Sequence, residues 1–129
     1  MSDITWQFQA SIQGGPAFTI TQPTINVAAY DVASATIGAG ASNVDVVIQP
    51  SSTVGEVLFV VVSSDAYDAG LTYKIDGSAT AHALDAPHVM LGAGAVGLMN
   101  GGAPPQKLTF SSTLAKEANI QVVAGRKTP

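Results

Sequence analysis

A chain of 129 residues has the length of one domain and can bury roughly two thirds of its unfolded surface in a single core. Charged residues make up only 11% against about 25% in typical soluble proteins, and five Lys and Arg residues under a net charge of -4 leave no basic stripe for phosphates, which excludes nucleic acid as an expected partner. The absence of cysteine removes disulfides, thiol redox chemistry and thiolate metal sites.

At the N-terminus the even positions Ile4, Trp6, Phe8, Ala10 and Ile12 are apolar, while Thr5, Gln7, Gln9 and Ser11 are polar. That is the period of a half-buried strand. Gly14, Gly15 and Pro16 break it, and a second strand resumes with Phe18 and Ile20 on one face until Pro23. Ile25, Val27 and Ala29 alternate next, and beyond the glycine-rich residues 38–43 so do Val44, Val46 and Ile48, up to Pro50. Residues 57–62, VLFVVV, form a continuous apolar run, expected of a strand buried on both faces or at the centre of a sheet. Leu71, Tyr73 and Ile75 alternate and end in an Asp76-Gly77 turn signal.

Further strands are expected at 88–91, 95–99, 107–110 and 119–123, and STLAKEA at 112–118 is the one helix-like stretch. About eight to ten short strands separated by Gly, Pro, Asn and Asp signals predict an all-β chain, a single-domain antiparallel β-sandwich of jelly-roll type. Residues 1–129 form that domain, with residues 1–13 an N-terminal arm or an edge strand. The first ten residues lack the basic start and apolar run of a signal peptide, and no segment approaches the ~20 apolar residues of a membrane span. Synthesis in a cytoplasm is expected, with no membrane partner.

His82, Asp85 and His88 stand three apart, a pattern that raises metal binding or proton transfer. Pro87 disfavours helical geometry at Ala86, and in a strand residues three apart face opposite sides, so only an irregular loop could converge them. Asp-Ala-Pro is an ordinary turn sequence, and the reading adopted is a structural turn with no metal, no cofactor and no catalytic residue. Asp65 and Asp68 in DAYDAG could offer oxygens to calcium but lack the ladder of a calcium loop, and a turn is favoured. The glycines of LGAGAVGL lack the strand, turn and amphipathic helix of a nucleotide site. Trp6, Tyr30, Tyr67 and Tyr73 could stack on sugars, with Tyr67 the ring most expected at the surface.

A surface low in charge and rich in Ala, Gly, Ser and Thr desolvates at small cost and favours burial against other subunits. A homo-oligomer, with a trimer among the options, is therefore expected. The candidate interface residues are Ile4, Trp6, Phe8 and Ile12, on a segment that a hinge at Gly14 and Gly15 could let swing onto a neighbour. Lys116, Arg126 and Lys127 gather toward the C-terminus and are expected to be a solvated end.

The second half of the chain, LFVVVSSDAYDAGLTYKIDG through HALDAPHVMLGAGAVGLM to KLTFSSTLAKEANIQVVAGRKTP, resembles small structural proteins of tailed-bacteriophage particles. The likeness is to capsid decoration or cement proteins of β-sandwich or jelly-roll fold, and it lies in low charge, small residues, absence of cysteine and a final strand leading into a short polar tail. No signature motif accompanies it, so no site residue carries over. The resemblance implies a non-enzymatic virion protein, made in the host cytoplasm, whose partners are other capsid proteins and whose role is to bridge neighbouring capsid subunits. The alternative is a carbohydrate-binding β-sandwich module.

Overall fold

The computed structural model describes residues 2–21 and 24–128. Pro23, expected to end a strand, lies outside them. Twelve strands and one helical turn follow in order: β1 (Ser2–Ile4), β2 (Gln7–Ser11), β3 (Ala17–Thr21), β4 (Ile25–Val27), β5 (Ala29–Ile37), β6 (Val44–Val47), β7 (Val57–Ser64), β8 (Leu71–Ile75), β9 (His82–Ala83), β10 (His88–Leu91), α1 (Ala93–Gly97), β11 (Lys107–Ser112) and β12 (Ala118–Arg126).

Eight of these strands form two four-stranded antiparallel sheets, β10-β7-β12-β5 and β6-β11-β8-β9. Numbered from β5 as the first, the orders are sixth, third, eighth, first and second, seventh, fourth, fifth. This is the double Greek key of a jelly roll. The chain is all-β, its two sheets open rather than closed into a barrel.

The core lies between the inner faces. Val60, Val62, Ile120 and Val122 of the first sheet meet Leu71, Tyr73, Leu108 and Phe110 of the second, all at most 2% exposed. Period-2 patterning places them there, because alternate residues of a strand share a face. The run at 57–62 sits, as expected, on an inner strand: β7 pairs with both β10 and β12. Asp76 and Gly77 both take positive φ, 47° and 78°, and Ser78 N–H donates to Ile75 O, the tight turn expected from that dipeptide. The buried Gln49 side chain is satisfied, accepting from Ser51 N–H and donating to the carbonyls of Ser51 and Pro105.

Four expectations are corrected. Residues 95–99 are not a strand: α1 starts at Ala93, and the buried Val96 and Met99 are three apart, the spacing at which a helical turn presents one face to the core. STLAKEA is not helical; Ser112 Oγ accepts from Leu114 N–H in a side-chain turn and Ala118 already belongs to β12. Residues 4–12 are two strands rather than one, since β1 pairs with β4 and β2 with β3. Arg126 is not part of a solvated end, because it is 8% exposed and its guanidinium bonds Asp31 of the adjacent strand.

Candidate interface

Residues 7–21 form a hairpin that stands off the sandwich. The register sets Phe8 opposite Ile20 and Ala10 opposite Phe18, so one face holds Phe8, Ala10, Phe18 and Ile20, continued toward the turn by Ile12. The other face holds Gln7, Gln9, Ser11, Ala17, Thr19 and Thr21. Such a ribbon is marginally stable by itself and normally needs its apolar face covered. Here that face is open: Phe8 is 50% exposed, Ile12 54%, Phe18 43% and Ile20 46%. Phe8 and Phe18 meet each other at a ring separation of 5.9 Å.

Gly14 and Gly15 do not form a hinge. They make the hairpin turn, in which Gly15 N–H donates to Ile12 O, Ile12 N–H donates to Pro16 O, and Gly14 adopts a φ of 74° that favours glycine. The expected swinging segment is replaced by a reversed chain.

The outer face of the first sheet is the surface the hairpin root overlooks. Register places Leu91, Phe59, Gly125 and Tyr30 in one row across it and Val89, Val61, Val123 and Val32 in the next. Further along come Ser63, Gln121 and Ser34, then Asn119 and Thr36. The first three rows hold no charged residue, and Asp65 borders the last, its carboxylate bonded to Asn119. Val89, Val32 and Tyr30 are 50%, 53% and 56% exposed. Between hairpin root and sheet runs an open cleft of about 680 Å³, walled by Trp6, Phe8 and Ile20 on one side and by Phe59, Val61 and Val89 on the other.

The four sequence-derived interface residues divide. Ile4 and Trp6 are half-buried anchors: Ile4 covers Gly125, and the indole of Trp6 lines the cleft with its N–H buried and without a hydrogen-bond partner among the described residues. Phe8 and Ile12 are the open members, and they are joined by Phe18 and Ile20. Sequence reading placed Phe18 and Ile20 on one strand face but did not assign them to the interface. The Gly-Gly-Pro turn between two alternating runs was the signal that would have paired them with Phe8 and Ile12. From Ile4 through Tyr30 the sequence holds no charged residue at all.

His82 and His88 come together, but around Tyr73 and without Asp85. Their rings lie 5.7 and 5.5 Å from that of Tyr73, and Tyr73 Oη is hydrogen-bonded to His88 Nδ1 at 2.5 Å. Asp85 sits exposed in the turn between β9 and β10. Burial pushes the Tyr73 hydroxyl up to about 12. Among the described residues no three His, Cys, Asp or Glu side chains are grouped as a metal site would require.

Asp68 likewise closes its own turn, its Oδ1 accepting from Gly70 N–H, and Asp65 accepts from the backbone and side-chain N–H groups of Asn119, which hold its carboxyl below the ordinary range. Of the rings considered for sugar stacking, Tyr73 is in the core and Trp6 beneath the hairpin. Tyr30 on β5, 56% exposed, is more open than Tyr67 in the separate 65–70 loop, the ring expected at the surface, which is 38% exposed. No family model, no curated protein and no solved structure matches the chain.

Proposed function

We propose that the protein is a non-enzymatic virion structural protein, a capsid decoration or cement subunit that stabilises a particle by bridging neighbouring capsid subunits. The observation that carries this reading is the apolar, uncharged face of the β2–β3 hairpin, held out beside an uncharged sheet face. Exposed apolar surface of this continuity marks a site of protein association. A cement protein needs such a surface and a rigid body to carry it, and many copies on one particle let modest individual contacts add up.

The architecture supports the reading by analogy, since jelly rolls serve in viral capsids, although they serve in lectins and cupins as well. The style of the second half of the sequence points the same way. A sugar platform is less well supported, because the two exposed tyrosines stand on different elements.

The test is mass spectrometry of purified particles made from the genome that encodes the chain, together with particles from which its gene has been deleted. The reading expects many copies per particle and, on deletion, assembled particles that lose their contents at lower temperature. Absence of the chain from purified particles would refute it.

A further inference from the structure

We propose that the partner of the hairpin is a second copy of this chain, whose β2–β3 hairpin seats its distal apolar face on the outer face of the neighbour's first sheet. The inference concerns self-assembly: it gives this association surface a second copy as its occupant, so that in the assembled protein any bridging of capsid subunits falls to other faces.

Charge identifies the occupant. Every copy brings the same net charge of -4, so two copies associate best through patches that carry no charge themselves. Both walls concerned are of this kind. The hairpin lies inside the uncharged stretch Ile4–Tyr30, and the sheet face offers the row built on Val89, Val61, Val123 and Val32, with the exposed Tyr30 beside it. Asp31, between Tyr30 and Val32, falls by alternation on the opposite face and pairs with Arg126, Asp65 borders the far end of the sheet face beside Asn119, and Asp45, Asp68 and Asp76 lie on β6, in a loop and in a turn. A charged partner would find nothing here to pair with.

Geometry separates the two halves of the hairpin. Its root, Phe8 and Ile20, faces its own sheet across the cleft, while Ile12 and Phe18, farther out, are not among the cleft residues and remain open. The exposed parts of the four large hairpin side chains offer on the order of a few hundred Å² of apolar surface, less than the roughly 800 Å² per partner of a stable interface. A hairpin-to-hairpin pair would use only that patch. Seating the hairpin on the sheet uses two different patches of every chain, so each subunit can make two such contacts, repeated head to tail in a ring where the rotation closes.

The experiment is light scattering of the purified full-length chain at micromolar concentration. Wild type is compared with Phe18→Asp on the hairpin, Val32→Asp on the sheet and Thr19→Asp on the polar face of the same hairpin. The substituted side chains are exposed, and melting curves verify that each variant is folded. The wild type and Thr19→Asp are expected to have the mass of a fixed oligomer, and Phe18→Asp and Val32→Asp each that of one chain. Mixing the two monomeric variants restores one junction, the intact hairpin of one on the intact sheet of the other, and is expected to give a mass of two chains. A monomeric wild type, with the hairpin simply closing on its own sheet, would overturn the proposal. So would oligomers that survive both substitutions, or a mixture that stays monomeric, the mark of a symmetric hairpin-to-hairpin contact.

Discussion

Gly125 of β12 lies directly beneath Ile4 of β1: a Cβ on Gly125 would stand 3.2 Å from Ile4 Cδ1 and only 2.9 Å from Val27 Cγ1. The absence of a side chain there lets the short β1–β4 ribbon settle on the outer face of the first sheet. That contact fixes where the hairpin leaves the body.

Gly125→Val is therefore expected to lift the ribbon. Overpacking of this kind costs about 1 to 3 kcal/mol, visible as a lower urea midpoint. Trp6 is the one tryptophan and lines the cleft nearby, so its emission should shift to the red in the folded state. Unchanged emission with an unchanged midpoint would mean that the ribbon is not seated on Gly125.

The Tyr73 hydroxyl gives a prediction in pH. Its folded pKa, about 12, lies above the ordinary value of 10 because burial disfavours the phenolate. The contribution of the neutral ring is thus fully present below pH 10 and is lost as pH rises through 12, a drop on the order of 2 kcal/mol. Tyr73→Phe should remove that alkaline drop and, near neutrality, cost about 1 kcal/mol for the hydrogen bond to His88 Nδ1. Urea melts between pH 7 and 12 measure both.

Asp76 does more than turn the chain. Its carboxylate accepts from Lys107 N–H at 2.8 Å, Gln106 N–H at 3.0 Å and Asn100 Nδ2 at 2.9 Å, so it ties the turn after β8 to the segment entering β11. Asp76→Ala loses these acceptors and also places a β-carbon without local hydrogen bonding at a φ of 47°. A loss of about 1 to 2 kcal/mol is expected, and Asp76→Asn should lose less because it keeps one carbonyl oxygen and tolerates that backbone region.

The strands were legible because their inward residues repeat every second position, as in Leu71, Tyr73 and Ile75 or Val44 and Val46. Pairing was not, since β5 with β12 and β7 with β10 join residues distant in sequence, and period alone names no partner. Residues 95–99 misled for a local reason: in five residues Val, Leu and Met fit either a strand or a helical turn, and only the burial of both Val96 and Met99 decides. At the candidate interface, alternation picked out the apolar side chains Ile4, Trp6, Phe8 and Ile12 as the face of one strand, where the structure has two. It could not tell that Gly125 and the cleft would take the first two and leave the last two open.

On the proposed reading the hairpin serves association and the jelly roll stands without it. The most direct measurement replaces residues 8–20 with a short Gly-Ser-Gly link between the paired positions Gln7 and Thr21, then follows melting and mass together. A cooperative melt is expected to persist, because the main core cluster contains no residue of the hairpin, together with the mass of a single chain. Loss of the cooperative melt, or a folded product that still assembles like the wild type, would contradict it.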